Sequence, residues 1–437
     1  MGPKMTDARV ILWARDIGAV SWDDVRQVGV FQYAPEFVES KIEIAPLTMP
    51  LRQLPFSFPA LSKDTFLGMP GLLSDSLPDK FGNALIDSWL AMQGRKPNSF
   101  NPVERLCYIG ARGMGALEFK PSIIEPATNA RRLEVAHLVG LANAVLSERE
   151  ALTGYLNQTS NHDTMEDIIR VGTSAGGARA KAVLAWNEET GEFRSGQIDA
   201  GEGFSPWLMK FDGITNNKDK ELADPRGYGR IEFAYAKMAV AAGIDMTECR
   251  LHFEGGRAHF MTRRFDRTKS GGKLHMQSLG ALMHLDFNAA GIHSYEQAMT
   301  AIRQLALPAY DGEQQLRRAV FNVLARNQDD HVKNIAFLMN KQGEWRLSPA
   351  FDVTYAFNPN GLWTNQHQMS INGKRDDFDL EDFIALGALG NVKPVRVKNI
   401  VNEVKDACER WSGFAAEAGV NEDDVVKIKT TFCHLAS

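Results

Sequence analysis

A chain of 437 residues is longer than one compact core usually organises, so we expect two or three structural units. Hydrophobic residues make up 44% and charged residues 24% of the sequence, which is ordinary for a soluble globular protein. The formal net charge of -5 argues against a chain that binds nucleic acid through its overall charge.

The cysteine spacing and the hydropathy of the sequence indicate the cellular compartment. The four cysteines are widely spaced and form no C-x-x-C pair, which favours reduced thiols over a disulfide framework or a zinc site. The N-terminal segment lacks the apolar core of a signal peptide, and no window approaches eighteen uncharged apolar residues. We therefore expect a soluble, cytoplasmic protein without membrane segments.

The first unit is predicted over residues 1–125, where short apolar runs alternate with turn residues. Apolar side chains at three- and four-residue steps predict a helix from Phe81 to Met92, which Gly94 would end. A Gly-rich turn opens a strand within residues 112–119. Further strands are predicted at residues 10–13 and 28–31, with a weaker candidate at 42–44.

The second unit is predicted over residues 126–270 and follows the element order of a nucleotide-binding small lobe. Gly255 and Gly256 are a strong signal for a two-residue hairpin turn between two strands. The elements predicted in this unit are a helix at 133–146, strands at 181–186 and 207–211, a helix at 230–243 and hairpin strands at 249–253 and 258–262.

The third unit, residues 271–437, is mainly helical. Helical periodicity appears at residues 298–305, 314–326, 380–386 and 395–411. With a β-rich front half and a helical back half, the predicted class is α+β, in a two-lobed arrangement.

One stretch in this third unit carries most of the chemistry. Asp329 lies five residues before Asn334 on a predicted loop, and two short strands joined by a turn then lead to Asp352. Phosphoryl transfer needs one carboxylate to orient the acceptor hydroxyl, and an amide oxygen and a second carboxylate to hold magnesium. We therefore predict Asp329 as the catalytic carboxylate and Asn334 and Asp352 as metal ligands.

The neighbouring residues leave alternatives open. Asp330 lies four residues before Asn334 and is the second candidate for the base, because the kinase spacing is five. His331 could belong to a transition-metal site, but it has no second histidine at i+4 and no nearby cysteine. Lys333 fits a charge near the transferred phosphoryl group or a structural partner of Asp329.

Upstream, residues 172–181 form a Gly-rich segment just before a strand, which predicts a loop that covers phosphates. It is neither a Walker A loop nor a G-x-G-x-x-G motif, so by itself it is a weak signal. Its candidate nucleotide-binding residues are Gly176, Gly177, Ala178 and Lys181.

A lysine and a glutamate complete the predicted nucleotide site. Lys210 lies within an apolar strand and could pair with the phosphates, while Glu232, early in the next helix, could hold it in place. Both also have plain structural explanations, an outward-facing strand lysine and an acidic first helical turn. Arg264 and Asp266, which follow the hairpin, are further candidate nucleotide-binding residues. Asp266 could accept hydrogen bonds from the ribose hydroxyls.

Taken together, five ordered motifs resemble HipA-type serine/threonine kinases, the toxins of bacterial type II toxin–antitoxin systems. The resemblance covers almost the whole chain, because residues 72–79 and 113–117 are similar to the N-terminal domain of that family. The motifs are residues 173–181, 208–210, 264–267, 329–334 and 351–353.

The resemblance implies a two-lobed kinase-like fold, ATP with Mg²⁺, and transfer to a protein Ser or Thr. It assigns Lys210 to the phosphates, Asp329 to catalysis, and Asn334 and Asp352 to the metal. Ser174 matches the serine whose autophosphorylation inactivates family members. The implied partners are a helix-turn-helix antitoxin, DNA only through that antitoxin, and a protein substrate, with translation machinery among the family's substrates.

The chain departs from the kinase pattern at its metal carboxylate, because no Gly follows Asp352. A kinase-style flip of that segment is therefore not implied. Arg179 stands at a loop position where family members differ, so loop motion is not transferred either. Two alternatives stay open, a small-molecule kinase and a catalytically idle corepressor scaffold for a DNA-binding antitoxin.

Overall fold

The computed structural model describes residues 4–124, 132–146, 171–172, 179–197, 200–214, 227–268 and 270–435. Four antiparallel strands form a sheet in the order β3-β2-β1-β4 within the N-terminal unit, residues 4–124. Its strands are β1 (Asp7–Leu12), β2 (Arg15–Asp23), β3 (Val28–Tyr33) and β4 (Leu117–Lys120). Its helices are α1 (Pro35–Val38), α2 (Lys63–Phe66), α3 (Gly71–Ser74), α4 (Lys80–Met92) and α5 (Pro102–Ile109).

The weak strand candidate at residues 42–44 is wrong. Ile44 is fully buried in the core of the N-terminal unit, but its segment forms no strand. Its carbonyl instead accepts a hydrogen bond from His275 Nε2, 2.9 Å away, in the C-terminal part of the chain. The apolar pattern therefore reflected burial at a domain contact rather than sheet pairing.

The small lobe, residues 132–268, is built on a six-stranded antiparallel sheet in the order β5-β7-β6-β8-β10-β9. Gly255 and Gly256 take φ angles of 53° and 77°, which supply the turn between β9 and β10. The elements are β5 (Arg132–Leu133), α6 (Val135–Leu146), β6 (Lys181–Trp186), β7 (Phe193–Ser195), β8 (Ser205–Lys210), α7 (Tyr228–Ala241), β9 (Cys249–Glu254) and β10 (Arg257–Arg263).

The large lobe, residues 270–435, is mainly helical. Its strands are β11 (His275–Ser278), β12 (His293–Ser294), β13 (Ala336–Met339), β14 (Trp345–Leu347) and β15 (Met369–Ser370). Its helices are α8 (Leu279–Met283), α9 (Tyr295–Gln304), α10 (Ala309–Leu324), a 3₁₀ turn (Val332–Asn334), α11 (Leu380–Leu389), α12 (Pro394–Glu409), α13 (Trp411–Ala418) and α14 (Glu422–Thr431).

Among the described residues, three hydrophobic cores hold these parts together, and each of them crosses a predicted boundary. Phe81, Leu85 and Ile86 of α4 are buried in the core of the small lobe, together with Met209 of β8. Fully burying one such side chain contributes about 1.5–3 kcal/mol. Helix α4 therefore belongs to the N-terminal unit in sequence and to the small lobe in packing.

The N-terminal unit also contacts the large lobe directly. The Trp345 indole N–H donates to the Glu43 carbonyl at 3.1 Å, and the Gly71 N–H donates to His284 Nε2 at 3.0 Å. Helix α3 approaches α8 so closely that a Cβ on Gly71 would lie 2.1 Å from the Ala281 carbonyl oxygen. The N-terminal unit thus contacts both the small lobe and the large lobe.

The predicted mixed class is confirmed, with antiparallel sheets in front and helices behind. Within the part of the chain that the structure describes, every helix is too short or too polar to cross a bilayer.

Candidate active site

Lys210, at the end of β8, forms the centre of a partly buried charge cluster. Its Nζ donates to Glu232 Oε1 of α7 at 2.6 Å and also contacts Asp352 Oδ1. Burial alone would lower the pKa of Lys210, but the carboxylates of Asp352 and Glu232 raise it above its ordinary value. The ammonium therefore stays charged where α7 and the large lobe meet the sheet.

Asp352 reaches this cluster from a strained backbone. Its φ angle of 54° lies in the left-handed region, which costs a non-glycine residue about 1–2 kcal/mol. Burial would raise the pKa of Asp352, but Lys210 and Lys181 hold it well below its usual range. The side chain is therefore a permanent carboxylate, and the strain is of the kind that functional sites retain.

The loop after α10 brings Asp329 and Asn334 together. Asn334 Nδ2 donates to the Asp329 carbonyl at 2.9 Å, and the Asn334 N–H donates to the His331 carbonyl at 2.9 Å. A 3₁₀ turn at Val332–Asn334 closes this short ring of contacts. The five-residue separation in the sequence is thus the separation that lets Asn334 fix the backbone of Asp329.

The Asp329 carboxylate has an unexpected donor. The Trp363 indole N–H donates to Asp329 Oδ1 at 2.7 Å, while His331 Nε2 lies 3.8 Å from the same oxygen. The Asp329 side chain remains 30% exposed, so it is accessible from solvent. Nothing in the sequence pointed to Trp363, because it lies 34 residues away in a segment without periodic structure.

Asp330, the second candidate for the base, has a structural environment. Its side chain is 1% exposed and accepts from the Tyr295 hydroxyl at 2.7 Å and from the Gln368 N–H at 2.7 Å. His367 Nδ1 lies 2.8 Å from Oδ2. Burial would raise the pKa of Asp330, but His367 and these hydrogen bonds hold it below its usual value. Asp330 therefore ties residues 363–368 to the loop that carries Asp329.

Asn334 and Asp352 fit the predicted magnesium site. They line one pocket together with Asp330 and His331. Amide and carboxylate oxygens are hard ligands that suit Mg²⁺, which in nucleotide sites uses one or two protein carboxylates and the phosphates. Across the described residues, no group of three His, Cys, Asp or Glu side chains could hold a metal ion without such help.

Lys181, predicted to bind nucleotide, stands beside the charge cluster. It lies directly opposite Lys210 in the β6–β8 pair, so both side chains leave the same face of the sheet. Its Nζ forms an ion pair with Asp79 Oδ2 at 3.6 Å. The other predicted loop residues, Ser174, Gly176, Gly177 and Ala178, lie outside the described residues.

Arg264 and Asp266 form an ion pair with each other where the hairpin meets the N-terminal unit. Asp266 is fully buried and accepts from Arg264, from Arg267 and from the Gly115 N–H, each at 2.7 Å through Oδ2. Oδ1 accepts from Arg264 Nε at 2.9 Å. The carboxylate predicted to meet a ribose therefore joins the hairpin to the N-terminal unit, with no exposed surface of its own.

His331 and Lys333 lie within the loop of residues 329–334. Both are half-buried against Phe287, with ring centroids 5.5 Å apart for His331 and the Lys333 Nζ 5.0 Å from the ring centroid. Lys333 also acts electrostatically on two carboxylates of the N-terminal unit, Asp75 and Asp79. Sequence reasoning had assigned no role to either aspartate.

In the small lobe, a lysine on the sheet pairs with a glutamate on the adjacent helix. The helical lobe supplies an Asp–Asn loop and a second Asp, so the chain is a two-lobed protein of the kinase-like class. Residues 173–411 match the HipA-like C-terminal domain, and residues 8–120 match the HipA N-terminal domain. The chain belongs to the HipA family, as its motifs predicted.

A solved structure shares this fold. A chain from the HipA, HipB and operator DNA complex of Shewanella oneidensis MR-1 superposes with a TM-score of 0.68 and 17% identity, covering 97% of this chain and 95% of that chain. The Helicobacter pylori proinflammatory kinase CtkA aligns over 54% of this chain and 89% of its own, at 12% identity and a TM-score of 0.34.

Among curated proteins, the chain is similar to the putative kinase Y4mE of Sinorhizobium fredii. The two are 26% identical over an alignment of 157 residues that covers 34% of each chain. The matched region thus spans about a third of that relative.

Proposed function

We propose that this chain is an ATP- and Mg²⁺-dependent serine/threonine protein kinase. The observation that carries the proposal is the contact of Lys210 with both Glu232 and Asp352, across from a catalytic loop in which Asn334 holds Asp329. Phosphoryl transfer relies almost entirely on such positioned charges.

Each residue has a role in that reaction. The acceptor hydroxyl oxygen attacks the γ-phosphorus of ATP, the bond to the bridging oxygen breaks, and ADP leaves. Asp329 orients the hydroxyl and receives its proton. Lys210 places positive charge on the phosphates, and Glu232 keeps the ammonium in position.

Asn334 and Asp352 would hold Mg²⁺, which neutralises charge on the phosphates. Lys181, Lys333 and His331 border the same region, so we assign them to the phosphate side of the site. Arg264 supports this site through its buried contact with Asp266 rather than by touching nucleotide.

We further propose that Ser174 is a site of autophosphorylation that switches the enzyme off. A phosphate group adds about two negative charges at pH 7, which cannot remain in a loop that receives the phosphates of ATP. The Gly176, Gly177 and Ala178 backbone would contact those phosphates in the active form.

As a HipA-type toxin, the kinase would act in the cytoplasm on a protein substrate and be neutralised by a helix-turn-helix antitoxin. The Shewanella relative was solved with HipB and operator DNA, which supports an antitoxin partner and an indirect link to DNA. Translation machinery is the substrate class that we would test first.

Labelled ATP and Mg²⁺ test the proposal directly. The wild-type chain should incorporate label at Ser174, and Asp329→Asn should abolish it. Asp330→Asn is the matched control: it should retain measurable labelling but lower the melting temperature, because it weakens the anchor of residues 363–368. Labelling that survives Asp329→Asn would overturn the assignment of the base.

Two further outcomes would replace the proposal. Operator binding by the chain with its antitoxin, without any ATP consumption at high Mg²⁺, would indicate an idle corepressor scaffold. ATP consumption with phosphate transfer only to metabolites would indicate a small-molecule kinase.

A further inference from the structure

Helix α4 of the N-terminal unit contacts the chain where it enters the nucleotide-binding part of the small lobe. Gly172 packs against α4 so tightly that a Cβ there would lie 2.6 Å from Leu85 Cδ1 and 3.3 Å from Phe81 Cε1. Leu85 and Phe81 are themselves buried in the small-lobe core. Only glycine allows so close an approach of the backbone.

The first turn of α4 carries a charge toward the same place. Asp79 caps the helix, with Oδ1 accepting from the Gly82 N–H at 2.6 Å. Its other oxygen, Oδ2, lies 3.6 Å from Lys181 Nζ on β6, and the two side chains are only 5% and 3% exposed. A buried ammonium requires a nearby anion, and Asp79 supplies one from outside the kinase lobes.

Lys181 connects this pair to the active site. It stands opposite Lys210, whose Nζ contacts Glu232 and Asp352, and its charge helps to hold the pKa of Asp352 low. Asp79 therefore contacts a residue, Lys181, that lies beside the proposed phosphate and metal contacts. Sequence spacing could not show this, because Asp79 and Lys181 are about a hundred residues apart.

Asp75 secures the same segment to the other lobe. Its Oδ2 accepts from the Ser278 N–H at 2.6 Å, and its Oδ1 accepts from the Ser278 hydroxyl at 2.9 Å. Ser278 caps α8 of the large lobe. Lys333 of the catalytic loop lies close enough to act on both Asp75 and Asp79. Residues 75–79 thus contact both lobes, Asp75 at Ser278 and Asp79 at Lys181.

We propose that Asp79 is a positioning residue of the nucleotide site, through which the N-terminal unit fixes Lys181 beside Lys210. Nucleotide affinity would then depend on a residue that belongs to neither kinase lobe. This inference rests on the proposed kinase function, and it gives the N-terminal unit a part in nucleotide binding.

Asp79→Asn separates the two roles of this side chain, because asparagine keeps the helix cap while the charge is lost. The variant should melt at a lower temperature, because the buried Lys181 ammonium loses its anion, but remain folded at the assay temperature. It should bind the Mg²⁺ complex of AMP-PNP about tenfold more weakly by calorimetry. Asp87→Asn is the matched control. Asp87 lies on the same helix but pairs with Arg105 within the N-terminal unit, so the affinity should not change.

A double variant shows whether Asp79 acts through Lys181. Lys181→Met should weaken AMP-PNP binding, and adding Asp79→Asn should weaken it no further, because the two residues act as one unit. Additive losses, an unchanged affinity in Asp79→Asn, or a tighter one would each overturn the proposal.

A second measurement needs no nucleotide. Acetic anhydride should acetylate Lys181 several-fold faster in Asp79→Asn than in the wild type, with exposed Lys341 as the internal reference, read by mass spectrometry. Unchanged labelling would contradict the positioning role. If the wild type binds no AMP-PNP while labelling still rises, the kinase proposal fails and the Asp79–Lys181 contact stands.

Discussion

At the scale of single residues, two adjacent aspartates have separate tasks. Asp329 is partly exposed and accepts from Trp363, whereas Asp330 is buried and anchors the segment that carries Trp363. The segment of residues 363–368 therefore orients Asp329, the proposed catalytic carboxylate, and is itself held in place by Asp330.

Trp363→Phe tests this orientation. The substitution keeps an aromatic ring but removes the N–H donor to Asp329, and losing a hydrogen bond to a charged group costs about 1.5–3 kcal/mol. We expect phosphorylation to slow by at least about tenfold while the KM for ATP is unchanged. Steady-state labelling assays provide both constants.

Leu362→Ala is the control for that experiment, since Leu362 is 93% exposed beside the tryptophan. Its labelling rate should match the wild type. A faster Trp363→Phe variant would instead show that the tryptophan blocks Asp329.

Local residues of the site were predictable, and distant ones were not. The Asp329–Asn334 spacing is written in six consecutive residues, so the sequence was enough to find it. Trp363 and Asp79 act across 34 and about a hundred residues, through contacts that only the folded chain creates. For Asp266 the sequence predicted a ribose contact, but the side chain is fully buried. A charged run after a hairpin can be buried by another domain, which the sequence does not show.

At the scale of elements, periodic helices and the Gly255–Gly256 hairpin were predicted closely. Strand β6 was predicted at its observed bounds, since its apolar run is bordered by a loop and a turn. The pattern did not reveal β2, whose alternation is broken by the adjacent buried residues Ile17 and Gly18. It also missed α5, which is buried on nearly every side and so lacks an amphipathic face. It also could not show that α4 packs in the small-lobe core.

The contact between α3 and α8 is expected to be intolerant of added volume. A Cβ at Gly71 would lie 2.1 Å from the Ala281 carbonyl oxygen and 2.7 Å from His284 Cδ2. Gly71→Ala should therefore lower the free energy of unfolding by about 1–3 kcal/mol, measured by urea denaturation. Gly413→Ala, in an open helical position of α13, should instead raise it by up to about 1 kcal/mol.

At the scale of the whole molecule, a buried ion cluster joins the N-terminal unit to the hairpin. Arg264 and Arg267 lower the pKa of Asp266 to about 2, against the effect of burial, with help from the Gly115 N–H. A carboxylate whose pKa is lowered on folding stabilises the fold above its unfolded value, near 4. That stabilisation is lost as the pH falls from about 4 to about 2.

Asp266→Asn should remove this pH dependence. In the wild type we expect the free energy of unfolding to fall by about 2 kcal/mol through this group between pH 4 and pH 2. The variant should be less stable at neutral pH and lose less on acidification, as urea titrations at several pH values would show. Asp16→Asn, in an exposed pair with Arg9, should behave as the wild type.

The close seating of residues 71–79 against both lobes has a consequence for genetics. A selection for mutants that have lost activity detects substitutions at residues that position the nucleotide site, as well as at residues that contact the nucleotide. Such a selection should therefore return substitutions at Gly71, Asp75 and Asp79 alongside those at Lys210 and Asp329. Deleting the first 124 residues would not yield a smaller enzyme, because it would remove part of the small-lobe core and an anion beside Lys181.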